Sequence, residues 1–534
     1  VIKSASIEGG TLIYKDLAKG TEQKVENLNI DLALDSLSGP FQAEGGATVV
    51  NIPLGFRIKT GVLDLTKAMP LELAFNLTDA NAEIGFTGQV NAAGAENPDT
   101  PIVTGKLTGK GDSVAKLLAA LPGGSADGLP PLLGQAFSLD GDVQAGVATA
   151  KVENFTLAMG DLTANAGVNA TYQGPVKVDA KLAIGRLDLE QLMPPEGAKT
   201  EAAAPAATNE APPAPAAFSL PADVTANAEV TVQQIAYKGQ AIDDTKLVAE
   251  LANSELTIKS ASAKLPGGSA VNLSGALTAQ NGKPNFAGAL KADSTNLREL
   301  IEAFAPGAVK DVPADRLRQL SLTTRVGYNP AQVELGDLSA TLDQSKLSGG
   351  VVVALPDGVQ RKQLGLGVGL SIDKLNLDGY MPVASAKAEP AAATTAEKPA
   401  EGGNPLKALA PLADYSANVD LRAGALTLNQ QQISGLRLVA SVAGGALDVK
   451  ELSVKDFQGG KANIAAKVTD LKGDPKFAAD FDITAKDAGR VLQMAGMPAE
   501  KGKLGALSLK GTASGTPTDV AYDVNAGMAG IGFQ

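Results

Sequence analysis

Asp140 and Asp142 stand two residues apart in a stretch that reads as a β-strand. There they project from one face, and an oxygen-only pair of that kind suits Ca²⁺. The plainer alternative is a solvated polar face. Asp480 with Asp482, and the adjacent Asp243 and Asp244, carry the same two readings. Little else resembles a reaction centre. The chain has no histidine and no cysteine, which removes Ser-His-Asp and Cys-His sites, Cys-based zinc or iron sites, and the commonest general base at neutral pH. No Walker-type phosphate loop and no Gly-x-Ser-x-Gly elbow occurs. Gly365, Gly367 and Gly369 lack the spacing of a dinucleotide loop and read as part of a strand. The expectation is a protein that is not an enzyme, with no cofactor and no metal.

The elements that hold these residues must therefore explain the chain. At 534 residues it exceeds one ordinary hydrophobic core, and with 44% hydrophobic residues it is not a disordered chain. Aromatics make up only 4%, with no Trp, so its apolar surface is mostly Ala, Val, Leu and Ile. The net charge of −12 disfavours nucleic acid as a partner. No apolar run approaches the ~20 residues of a membrane-spanning helix. The sequence starts within one strand-like pattern and stops shortly after another, so it is read as an excised segment.

Alternation of apolar and polar residues dominates, the period-2 signal of strands with two unlike faces. Turn signals such as Gly267-Gly268, Asn281-Gly282, Asp357-Gly358 and Gly459-Gly460 separate the strands, which predicts antiparallel hairpins in sequence order. The pattern repeats: Ala222–Leu300 lies on Ala413–Val491 at a constant offset, with Ile242 on Ile433 and Phe286 on Phe477. Helical windows recur at one place in the repeat, at 112–123, 293–307 and 487–494, each opening at Asp or Ser. Self-similarity of this length implies an architecture made by repetition. The domain reading is a first superunit over 1–194, a Pro/Ala-rich loop over 195–217, and a second superunit over 218–382. A second such loop follows over 383–410, and a truncated third superunit over 411–534. Composition makes the two loops disordered or polyproline-like. Their equivalent positions fit insertions at one edge of a continuous sheet better than linkers between modules, because the strand pattern resumes in register after each.

The apolar face is the main constellation. Its candidate lining residues are Leu28, Ile30, Leu32, Val224, Val230, Val232, Leu436, Leu438, Leu447 and Val449. Either this face packs on a second sheet and forms a sandwich core, or the sheet curls into an open trough that takes acyl chains. Its richness in Ala and the length of the repeat lean toward the trough, yet both readings stay open on residues alone. Strands ~4.8 Å apart, about 35 to 40 of them, would make a long wall.

The N-terminal stretch Ile7-Glu8-Gly9-Gly10-Thr11-Leu12-Ile13-Tyr14-Lys15-Asp16, followed by Val25–Leu32 and Ser38-Gly39-Pro40-Phe41-Gln42-Ala43-Glu44-Gly45, resembles the AsmA family of Gram-negative envelope proteins. The close likeness covers roughly the first 65 residues, and the rest is similar in style. The resemblance implies a mainly β fold: an elongated antiparallel β-meander curled into an open apolar groove, with a few short helices and Pro/Ala-rich loops. It implies a periplasmic protein anchored to the inner membrane through an N-terminal helix absent from this sequence. It further implies phospholipid as the partner, with outer-membrane components, in lipid transport between the membranes and outer-membrane biogenesis. A scaffold for outer-membrane protein assembly and a secreted adhesin-like array of β-sandwiches are the rival readings.

Overall fold

Strands with one apolar and one polar face satisfy their backbone groups edge to edge, and this chain uses little else. The computed structural model describes residues 3–16, 21–49, 52–64, 66–92, 100–120, 128–193, 217–356, 361, 363–381, 405–428, 430–489, 505–516, 519–528 and 531–533. Among them are 28 strands, fewer than the 35 to 40 expected. The strands run from 9 residues (Phe41–Val49) to 14 (Thr21–Leu34) in most cases, and helices and connecting segments take the rest of the described residues.

The chain divides into two compact units, Val1–Lys264 and Leu265–Gln534. In the first unit each strand pairs with its successor in the sequence, from Ser4–Asp16 onward. The second unit does the same from Ser269–Gln280 to Ile531–Phe533. Both are open sheets of mainly antiparallel order.

One step in each unit departs from the expected meander. Val176–Asp188 pairs in parallel with Val224–Tyr237, and Gly365–Asn376 pairs in parallel with Ser416–Leu428. A parallel pair needs a crossover of a dozen residues or more, since the chain must return to its starting end. The Pro/Ala-rich segments supply that length, so the boundaries expected at 194/218 and 382/411 fall in the two crossovers. The strands on either side of each segment pair directly, which is what an insertion requires and a linker between modules does not. Residues 195–216 and 383–404 lie outside the described residues. Pro405–Asp414, partly within the expected second loop, forms a 3-10 helix.

Helices Val114–Ala120 and Leu297–Phe304 occupy the first two helical windows. Of the third, only the first turn is described, and residues 490–494 lie outside the described residues. Ser113 caps the first helix as expected, its Oγ accepting the Lys116 N–H at 3.2 Å. In the second window the N-cap is Asn296, whose side chain makes no capping bond, so the Asp or Ser cap expected there is not found. The Ser294 hydroxyl accepts the Asn296 N–H at 3.3 Å, while Asp293 accepts the Ser321 hydroxyl across the strand pair at 2.8 Å.

The buried core of the first unit sits at one end of its strands. Ala80, Ala82, Leu132, Phe137 and Met159 form it, with Val114 and Leu117 of the helix packed against them. Strand-to-strand packing runs between sequence neighbours. Among the described residues neither unit lays a second sheet over its apolar face, so the sandwich arrangement is not found there.

Candidate apolar lining

Cross-strand register assembles the alternating residues into rows. In the first unit Ile30 faces Ile7 and Gly45, and the row continues through Phe56, Phe75 and Ile84. Far along the same row, Ile184 pairs with Val232 across the parallel join. Leu32 begins a neighbouring row through Ala43, Ile58, Leu73, Phe86 and Leu107. That row reaches Leu182, Val230 and Leu247. Leu28 faces Gly10, and Val224 faces Val176 at the start of the join. Residues about 200 positions apart in sequence therefore share two continuous apolar rows.

In the second unit the four expected residues fall on four neighbouring rows. Leu436 lies between Ala423 and Val454, and Leu438 between Leu421 and Leu452. Leu447 lies between Val442 and Val468, and Val449 between Ala440 and Ala466. Of the ten expected lining residues, only Val232 is buried, at 6% exposure; the other nine are half-buried. A face packed under a second layer would bring such residues near zero. Here they cover one another sideways and leave their tips uncovered.

The opposite face is polar and knit by ion pairs across strands. Arg57 meets Glu44 at 3.2 Å, Lys110 meets Glu83 at 2.8 Å, and Lys246 meets Glu229 at 2.7 Å. The Lys246 ammonium, through that hydrogen bond first, holds the Glu229 carboxyl below its ordinary range. Arg422 and then Arg437 do the same for Asp420. Five of the aspartates considered for Ca²⁺ have protein partners: Asp140 pairs with Lys106 at 2.9 Å, and Asp142 accepts the Asn154 amide at 2.7 Å. Asp244 pairs with Lys264 at 2.7 Å, Asp243 accepts the Gln234 amide at 3.1 Å, and Asp482 faces Lys510 at 3.7 Å. Among the described residues no group of three or more Asp or Glu converges on a metal-sized space.

One feature of the lining was not anticipated from the sequence. Gly88 pairs with Gly105, and a Cβ on either would stand 2.7 or 2.6 Å from the Phe86 ring. Gly275 pairs with Gly288 in the second unit, where a Cβ on either would stand 2.7 Å from the Phe286 ring. In both units a phenylalanine ring lies over a glycine pair, filling the space that two missing side chains leave. The signal was present as Phe-x-Gly at 86–88 and 286–288, but only the pairing register shows what it is for.

This arrangement offers apolar contact without directional groups, along rows that cross many strands. Among the described residues no helix is long and apolar enough to cross a membrane. Comparison with protein-family models, with curated proteins and with solved structures finds no match to this chain.

Proposed function

We propose that this chain is a non-enzymatic, AsmA-like envelope protein whose apolar sheet face shields phospholipid acyl chains during transport between the inner and outer membranes. One observation carries the reading: continuous rows of Ile, Leu, Val, Phe and Ala, half-buried and, among the described residues, with no second layer over them. Water would be shed from such a surface at about 25 cal/mol per Å² of apolar area covered. Alkyl chains suit it because they need no hydrogen-bond partner, and a lining without directional contacts lets them slide. The ion-paired opposite face keeps the sheet in solution. The AsmA resemblance of the first 65 residues supplies the membrane context, namely the periplasm and an inner-membrane anchor outside this sequence.

Native mass spectrometry of the purified chain is the direct test. Co-purifying phospholipid is expected, and it should be lost from Val230→Asp and Leu438→Arg while circular dichroism and the melting transition stay near those of the parent. A lipid-free parent would count against the proposal. Unfolding of both variants would mean that the face is a packed core after all.

A further inference from the structure

The turn that follows the first strand of each parallel join covers a cleft on the sheet, and the two clefts differ. In the first unit Arg186, Leu187 and Asp188 line it with Asp161, Gln191 and two further leucines, Leu132 and Leu162, and it holds only about 10 Å³. In the second unit Lys374, Leu375 and Asn376 hold the corresponding places, and the cleft opens to about 340 Å³. The charge changes with the volume. The closed cleft has one cation and two carboxylates. The open one has two cations, Arg316 and Lys374, and one carboxylate, Asp343.

That carboxylate is already engaged. Asp343 accepts the backbone N–H groups of Leu317, Arg318 and Gln319 at 3.0, 2.9 and 3.1 Å, and the Tyr380 hydroxyl at 2.9 Å. Asp373, beside Lys374, likewise turns to the backbone N–H groups of Lys346 and Lys374. Arg316 is held in place by the bond from its Nε to the Gly379 carbonyl at 3.2 Å and by its position over the Tyr380 ring. Its Nη1 lies 3.4 Å from Asp315, a largely exposed carboxylate. The walls add neutral donors from Gln432, Asn376 and Thr427. A fixed guanidinium, an ammonium, and amide and hydroxyl donors around an open space of this size form a receptor for a tetrahedral oxyanion.

We propose that the open cleft of the second unit binds a phosphate group, either free or carried on a glycerophosphate headgroup. The cleft belongs to the polar layer, so this site stands independently of the apolar lining and of the function proposed for it.

The test is calorimetric titration of the whole chain at low salt with three probes: inorganic phosphate, sn-glycerol 3-phosphate, and phosphatidylglycerol in phosphatidylcholine vesicles. Saturable binding of inorganic phosphate at one site is expected. Lys374→Gln should weaken it about tenfold, the usual effect of removing one charge-assisted contact. Arg316→Gln should act in the same direction, and Arg186→Gln in the closed cleft should leave binding unchanged. Lys374 is exposed, so its variant tests the site even if Arg316→Gln disturbs the turn. Lys374-dependent binding of glycerol phosphate and of the vesicles would assign the source to lipid headgroups. Lys374-dependent binding of inorganic phosphate alone would assign it to free phosphate. Absence of saturable phosphate binding, or equal binding by the parent and Lys374→Gln, would overturn the proposal.

Discussion

At the join in the first unit, Glu190 Oε1 accepts the Lys238 N–H at 3.1 Å; at the join in the second, Asp378 Oδ2 accepts the Gln430 N–H at 2.7 Å. Each acid sits in the short helical turn after one parallel strand, Leu189–Leu192 or Leu377–Tyr380. Each N–H sits at the tip of the hairpin that follows the other strand, on a residue with φ near +50° to +60°. The same clamp thus closes both crossovers. Beyond it the joins diverge. The second adds Asp343, Tyr380 and Arg316 as a linked network, whereas in the first Gly160 stands at the place of Asp343 and Leu192 at that of Tyr380. The shared part is what a crossover needs to keep its two strands in register, and the added part belongs to the open cleft.

Replacing Asp343 should separate the two joins most. Asp343→Ala strands three backbone N–H groups and a tyrosine hydroxyl, and a loss of about 2–3 kcal/mol is expected in urea unfolding. Asp161→Ala should stay within about 0.5 kcal/mol. Similar losses from both would erase the distinction. The Asp343 contribution also depends on pH. Burial works to raise its carboxyl, but the N–H bonds from Arg318 and Gln319 and the Tyr380 hydroxyl outweigh that and leave it below the ordinary range. Its stabilisation should therefore be complete above about pH 4 and fade as the pH falls through the lower folded value. Amide hydrogen exchange at residues 317–319 would follow the change.

Tyr380→Phe removes one partner of that network and should cost about 1 kcal/mol. Burial, with the bond to Asp343 second, pushes the Tyr380 phenol up to about 12. The stability it lends should be intact below the ordinary phenol value of about 10 and lost as the pH rises through 12. An ultraviolet titration in which Tyr→Phe at 380 fails to remove a late-ionising phenol would refute this. The smallest effect belongs to the shared clamp. Glu190→Ala and Asp378→Ala should each cost roughly 0.5–1 kcal/mol and speed exchange at Lys238 and Gln430 respectively. A clamp that matters in only one unit would show that the joins do not share a plan.

Much of this was readable beforehand, and for a local reason. Val224, Ala226, Ala228, Val230 and Val232 declare their face by alternation, and two-residue turns such as Asn281-Gly282 name the partner strand as the next one. The parallel joins were not, because the direction in which Val224–Tyr237 meets Val176–Asp188 is decided across a long segment that carries no turn signal. The glycine pairs under Phe86 and Phe286 escaped for a related reason: Gly105 and Gly275 acquire their meaning only from a neighbouring strand. The cleft around Asp343 draws on residues from 316 to 432, and no local pattern announces it.

The parallel step also settles a matter of parity. Within the second unit, nine strand-to-strand steps separate Lys283–Ser294, which leads into helix Leu297–Phe304, from Lys476–Ala485, which leads into the turn at Asp487. Nine reversals would point those two strands in opposite directions and put their helical turns on opposite rims. Eight reversals and one parallel step point them the same way. A repeat with an odd number of strands can therefore be copied along the chain without inverting, and each added copy presents the same rim to the same side.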